Sequence, residues 1–218
     1  MSKIAIIGGH GKIAMSLTRQ LAARGDEVLS VFRNPDHGQD VLEAGGTPLV
    51  FDVETSDAES LAENLDGFDA VVFAAGGGPE SGVERKKTVD HGGSVLSAKA
   101  AAKAGVSRFV QVSAISVDEP VPADAGEQWA AYVEAKRSAD EELKKTSLDW
   151  TILRPGGLTN DSGTGSIQLA EKLERGQVPR EDVAATIIAV LDEPGSAGKV
   201  WELVGGDTPI AEAVRSLS

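Results

Sequence analysis

The amino-acid sequence predicts an α/β fold, a single doubly wound domain with a mainly parallel sheet. Three observations carry that expectation. Short β-branched apolar runs alternate with alanine-rich amphipathic stretches from end to end. The apolar runs are mostly continuous, as parallel strands buried on both faces require. The chain has 218 residues and no internal repeat or linker, enough for one sizeable core with no sign of a second.

The elements follow in order. A strand at Ile4–Ile7 leads into Ile13, Leu17 and Leu21, whose four-residue spacing marks a helix closed by Gly25. Strands are expected at Glu27–Phe32 and Pro48–Phe51, a helix at Asp57–Leu65, and a strand at Ala70–Phe73. Then come a helix over Arg85–Ala104, a strand at Phe109–Val112, a helix over Trp129–Thr146 and a strand at Trp150–Leu153. A helix at Arg180–Leu191 and a strand at Val200–Leu203 complete the series. Such alternation implies right-handed crossovers. Three looser stretches, Gly76–Gly82, Asp118–Gly126 and Gly156–Ser166, each follow a strand, so they belong at the carboxyl edge where doubly wound sheets bind ligands. A small C-terminal cap, with a substrate-binding segment within residues 156–180, is expected there too.

Composition narrows the partners. Acidic residues number 34 against 21 basic ones, a net charge of -13, which argues against nucleic acid and anionic membranes. Cysteine is absent, so disulfides and thiolate metal sites are excluded, and a reducing cytoplasm is the expected location. Three widely spaced histidines offer no metal-ligand cluster. No apolar run approaches the ~20 residues of a membrane span, and the apolar run in the opening MSKIAIIGG is too short for a secretory signal, so neither is expected. A small-molecule substrate and a monomer or homodimer fit these bounds.

Gly8, Gly11 and Ala14 form G-x-x-G-x-x-A between the first strand and first helix. Gly8 permits a tight turn, Gly11 admits a pyrophosphate to backbone N–H groups at the positive helix end, and Ala14 keeps helix and strand close. Gly9 offers a second register, and an ordinary β–α turn is the competing reading. This makes the fold Rossmann-like, with Gly8, Gly9, His10, Gly11, Lys12 and Ile13 beside a dinucleotide. His10 has a competing reading as a solvent-facing loop histidine. The second strand ends in Arg33 and Asn34, with no carboxylate before Asp36. A carboxylate there would repel a 2′-phosphate, whereas guanidinium grips it with paired hydrogen bonds. The cofactor expectation is therefore NADP(H), with NAD(H) as the alternative. Asp52 is placed to accept from an adenine amino group or to cap the next helix.

Tyr132 and Lys136, in YVEAK, are four apart and share a helical face. Ser113 and Ser116 end the strand before them. A phenol, an ammonium and a hydroxyl make an acid–base set for carbonyl/alcohol interconversion, the ammonium lowering the phenol pKa from about 10. Tyr132 is the only tyrosine.

Taken in order, GGHGKIA, FDV, VVFAAG, YVEAK and LRPGGL resemble the short-chain dehydrogenase/reductase superfamily, and more closely its compact atypical NAD(P)H-binding branch of epimerase- and reductase-like proteins. The resemblance runs from Lys3 to about Pro209. It implies that Asp52 and Val53 meet the adenine and that Ala74, Ala75 and Gly76 line the cofactor. It also implies a backbone around Pro155 beside the nicotinamide, and a lysine that serves the ribose as well as the tyrosine. Two positions depart from the pattern. Ala114 follows Ser113 where the family often has a second serine, and Asp90 replaces an active-site asparagine, with His91 beside it on the helix surface. The alternatives are a non-catalytic NADP(H)-sensing module and a sugar epimerase or dehydratase, for which the short C-terminal part leaves little room.

Overall fold

The computed structural model describes residues 1–78, 82–122 and 124–218. The loops expected at Gly76–Gly82 and Asp118–Gly126 fall partly on residues 79–81 and 123, outside the described residues.

In chain order the first half comprises β1 (Lys3–Ile7), α1 (Lys12–Arg24), β2 (Glu27–Phe32), α2 (Gly38–Glu43), β3 (Thr47–Val50), α3 (Ala58–Asn64), β4 (Ala70–Phe73) and α4 (Val83–Arg85). A π-helical segment, Lys86–Gly93, runs into α5 (Ser94–Lys103). Next come β5 (Arg108–Val112), α6 (Glu127–Lys144), β6 (Asp149–Pro155), β7 (Gly157–Thr159), β8 (Ser166–Ala170) and β9 (Gln177–Pro179). The chain closes with α7 (Arg180–Asp192), β10 (Lys199–Gly205), β11 (Thr208–Pro209) and α8 (Ile210–Leu217).

One sheet has the order β11-β8-β10-β6-β5-β4-β1-β2-β3, and β7 pairs with β9 apart from it. From β3 to β10 every pairing is parallel; β8 runs antiparallel between β10 and β11. Successive strand residues point to opposite faces, so each strand feeds two cores. Ile4 and Ile6 pack with Leu17 and Leu21 of α1 and Ile187 of α7. Ala5 and Ile7 pack on the other side with Leu61 of α3, Ala101 of α5 and Leu143 of α6. That double burial is why the strands read as unbroken apolar runs. Truncating such a side chain, Leu17→Ala for example, costs about 2–5 kcal/mol.

Local chemistry sets the helix ends. Gly25, at φ 88°, closes α1 in the left-handed conformation. Asp57, and not Asp52, caps α3 by accepting from the Ser60 amide at 2.8 Å. The seven expected strands and five expected helical segments form, with ends moved by at most two residues. Beyond them the structure adds α2, α8, β7, β8, β9 and β11. In the C-terminal part β8 and β11 extend the main sheet, and the β7–β9 pair stands apart from it. Gly156–Ser166 is likewise no free loop. It holds β7, and the amides of Gly163, Thr164 and Gly165 donate to Glu181 and Asp182 in the first turn of α7.

Candidate functional site

The strand order reverses at β1, which has β2 on one side and β4 on the other. A crevice therefore opens beyond the ends of β1 and β4. It has a volume of about 390 Å³ and is lined by Gly8, His10, Gly11, Arg33, Asn34, Asp52, Val53, Glu54, Ala74, Ala75, Gly76 and Arg85, among others. Most of the expected cofactor residues thus line one cleft. Gly9, Lys12, Ile13, Lys136 and Pro155 are not on its wall. A cavity of about 550 Å³ lies outside it, bounded by His10, Lys12, Met15, Arg19, Asp40, Glu43 and Ala44. Its wall is mostly charged and polar and includes none of Tyr132, Lys136, Ser113 and Asp90.

The glycine turn is dictated by crowding. Gly8 has φ 84°, and a Cβ there would sit 2.5 Å from Ala75 Cα. A Cβ on Gly9 would sit 2.6 Å from Ser30 Cβ. The amides of Gly8 and Gly9 both donate to Val31 O, at 2.9 and 2.8 Å, which pins the turn to β2. The first turn of α1 has no side-chain cap and no acidic residue, so its positive end faces the cleft uncompensated. His10 stacks on His37, with centroids 3.5 Å apart, and Nε2 lies 2.7 Å from Asp40. It is neither free in solvent nor aimed at the turn. Lys12 donates to Asn160 at 3.4 Å, and Ile13 packs against the core.

At the adenosine end the sequence expectation needs correcting. No carboxylate adjoins Arg33 in sequence, yet Arg33 donates to Glu54 at 2.9 Å. Asn34 accepts from the Asp36 amide at 3.2 Å, and Asp52 Oδ1 from the Glu54 amide at 2.9 Å, so both shape their own turns.

At the other end, α6 carries Tyr132 and Lys136 on one face. Lys136 Nζ lies 3.2 Å from Asp90 Oδ1, donates to Val112 O at 3.2 Å, and reaches Ala75 O at 3.5 Å. Asp90 is 1% exposed. It enters the site from the π-helical segment, a distortion that frequently marks functional positions. Its Oδ2 accepts from the Gly77 amide at 2.8 Å. Its Oδ1 has the Lys136 charge nearby without the alignment of a hydrogen bond, and so remains an unsatisfied buried acceptor. Tyr132 packs against Trp129, with Lys86 Nζ 5.5 Å from its ring centroid.

Electrostatics here depart from the expectation that the ammonium lowers the phenol pKa. Burial pushes Tyr132 up, Lys136 opposes this, and Asp90 and Asp140 add to it; the net direction is upward. Burial pulls Lys136 down, but Tyr132, Asp90 and Asp140 outweigh it, and the net direction is upward. Ser113 donates to Asp140 at 3.0 Å, which also takes Gln111 at 2.7 Å and Arg154 at 3.0 Å. Burial raises the Asp140 carboxyl, with Arg154 and these hydrogen bonds opposing. Ser116 is held at φ 60° with its amide on the buried Glu202 at 2.9 Å. The serine hydroxyl expected in the acid–base set is therefore tied into a structural network.

Glu54, Arg85 and Asp140 are the site residues that sequence reasoning missed. Asp140 had a signal, standing four after Lys136 on the same face of α6; Glu54 and Arg85 meet only in three dimensions.

A switch-point cleft with a glycine turn at one end and a Tyr–Lys helix near the other defines a Rossmann-type nucleotide-binding protein. Residues 8–194 match the NAD(P)H-binding family, and the chain belongs to that family as an atypical short-chain dehydrogenase/reductase. An uncharacterized sugar epimerase of Bacillus subtilis, YhfK, is 37% identical over 219 residues, covering 99% of this chain and 100% of the relative. A Bacillus halodurans structure, provisionally named an NAD-dependent epimerase/dehydratase, superposes with a TM-score of 0.90 at 34% identity and full coverage of both chains. The oxidoreductase ylbE of Lactococcus lactis gives a TM-score of 0.87 at 33% identity, covering 99% of this chain and 96% of its own. Among the described residues no helix is long and apolar enough to cross a membrane.

The residues present fit a dinucleotide. The cleft spans the switch point, the start of α1 lacks any competing acid, and two buried polar atoms beside the cleft, Asp90 Oδ1 and Arg85 Nε, lack hydrogen-bond partners. The glycine turn, with no side chains in the way, would let the phosphates approach the start of α1, whose first turn carries no acidic residue.

Proposed function

We propose that this protein is an NADP(H)-dependent oxidoreductase acting on a small carbonyl or alcohol compound, with Tyr132 as acid–base group and Lys136 as its electrostatic partner. The observation that carries the reading is the buried Lys136–Asp90 pair beside Ala75 at the end of the cleft, with the half-buried Tyr132 one turn before Lys136 on α6. A bound nicotinamide supplies the hydride equivalent. The chain's own part is to move one proton at Tyr132 Oη. Lys136, kept charged by Asp90, favours negative charge developing on that oxygen or on a substrate oxygen beside it. Because burial keeps the phenol protonated, Tyr132 is set to donate, which supports carbonyl reduction. The preference for NADP(H) rests on Arg33, and cytoplasmic residence on the cysteine-free composition.

The test is NADPH consumption by purified protein against aldehydes, ketones, quinones and flavins, repeated with Tyr132→Phe. Loss of turnover with nucleotide affinity retained supports the acid–base role; unchanged turnover refutes it. A second reading, a non-catalytic NADP(H) sensor, is favoured by the Ser113–Asp140 hydrogen bond, which engages the hydroxyl of the expected acid–base set. No turnover on any compound, combined with micromolar NADPH binding, would select it. The epimerase alternative draws on the Bacillus subtilis relative's name and is opposed by the small cap.

A further inference from the structure

We infer that Glu54 is a charge latch at the adenosine end of the cleft, joining Arg33 to Arg85, and that a phosphomonoester on the adenosine ribose binds by displacing it. The inference rests on the dinucleotide reading of the cleft and assigns two residues to it, Glu54 and Arg85.

The two arginines come from opposite walls. Arg33 ends β2, and Arg85 ends α4, which leads into the π-helical segment. Glu54 stands between them in the turn after β3. Its Oε2 takes Arg33 NH1 at 2.9 Å and lies 3.3 Å from Arg85 NH2, while Oε1 accepts from Thr88 Oγ1 at 2.6 Å. All three charged side chains line the cleft. One carboxylate facing two guanidiniums leaves an excess of positive charge, and Arg85 Nε is a buried donor with no hydrogen-bond partner. The nearby Asp40 carboxylate does not supply the missing anion, since it is engaged with His10.

A phosphomonoester matches this arrangement better than Glu54 does. It brings close to two negative charges and three acceptor oxygens, enough for both guanidinium forks at once. Exposed ion pairs such as these add little to the stability of a fold. Side-chain exposures of 51% for Arg33 and 38% for Arg85 place them in that class, so the arginines can change partners without cost to the core. Glu54, at 16%, keeps Thr88 as a second partner when it lets the arginines go. A ribose without the phosphate has no charge to offer and leaves the latch closed. Glu54 therefore sets how strongly the cleft discriminates between NADP(H) and NAD(H).

The experiment is titration calorimetry of the full chain with adenosine 2′,5′-bisphosphate and with AMP, probes that contain no nicotinamide and so bypass turnover. Glu54→Gln keeps an acceptor for the arginines but removes the competing charge. It should tighten the bisphosphate by about fivefold to tenfold and leave AMP within about twofold. Arg85→Ala and Arg33→Ala should each weaken the bisphosphate by about tenfold, again sparing AMP. Melting curves report whether each variant is folded, and Glu54→Ala serves as the second variant, expected to shift in the same direction as Glu54→Gln. The latch is overturned if both Glu54 variants leave bisphosphate affinity unchanged or weaken it, or if Arg85→Ala has no effect while Arg33→Ala does. If the wild-type chain does not separate the two probes and Arg33→Ala changes nothing, the NADP(H) preference itself is wrong and the latch falls with it.

Discussion

The two ends of the cleft handle charge in opposite ways. At the adenosine end Arg33, Glu54 and Arg85 form ion pairs that solvent reaches, each worth about 0–1 kcal/mol. At the nicotinamide end Lys136 is 7% and Asp90 1% exposed, and Asp140 with Arg154 lies buried next to them. Charges there have lost their water, so each depends on its partner. The first arrangement can exchange partners, as ligand recognition would require; the second cannot, and holds its side chains in one geometry. The contrast also separates what a substitution should do. Changes at the adenosine end should alter selectivity and leave the fold intact, whereas changes at the other end should touch stability and turnover together.

The largest effect should come from Lys136→Met. It leaves Asp90 buried with no counter-charge, a loss of about 3–5 kcal/mol by the usual cost of breaking a buried pair. Denaturant unfolding should show it, and turnover should fall in the fraction that remains folded. A change below about 1 kcal/mol would mean that the two ends of the cleft are alike in softness. Tyr132→Phe should cost less stability, because the ring still packs on Trp129. Its turnover should fall by about 10²-fold or more, with the NADPH dissociation constant little changed. Single-turnover kinetics with the best compound of the panel would measure it.

Legibility in the sequence follows the same division between local and distant. Glu27–Phe32 and Ala70–Phe73 are readable to the residue, because strands buried on both faces leave nearly continuous apolar runs. In β8 only Ile167 and Leu169 point inward, and β7, β9 and β11 are two or three residues long, so none of them leaves a hydrophobic run. The six-residue α2 is mostly polar for the same reason. Within the site, Gly8 with Gly11 and Tyr132 with Lys136 are short-range patterns and could be read. The Arg33–Glu54 pair spans 21 residues and the Ser113–Asp140 bond 27, and nothing in local spacing reports either. The direction of the Tyr132 shift was missed because burial, its largest cause, is a tertiary quantity.

A smaller effect should separate the two ends by salt. Wild-type protein should bind NADPH more tightly than NADH by about 1–3 kcal/mol at low ionic strength, the scale of charge-assisted hydrogen bonds. Arg33→Ala should remove most of that difference. Raising salt from about 0.01 to 0.15 M shortens the screening length from about 30 to 8 Å, so the preference should shrink while unfolding free energy hardly changes. A preference that survives Arg33→Ala would place recognition elsewhere in the cleft.

The last test concerns pH and bears on the sign of the proposed chemistry. With its pKa raised by burial, Tyr132 is protonated in the native protein throughout the neutral range. A reaction that needs a proton donor then has it at every neutral pH, so kcat/KM for carbonyl reduction should stay within about twofold between pH 6 and 8 and fall only on the alkaline side of the phenol's ordinary value of about 10. Alcohol oxidation needs the deprotonated phenol, a small fraction under these conditions, and should climb by about tenfold per pH unit over the same interval. Had the Lys136 charge outweighed burial, reduction would decline through neutral pH and oxidation would level off early. The two pH profiles, measured on one carbonyl/alcohol couple, decide which force wins at the buried end. A reductive rate that falls steadily from pH 6 to 8 would show a phenol already losing its proton, and a nicotinamide end much wetter than its packing implies.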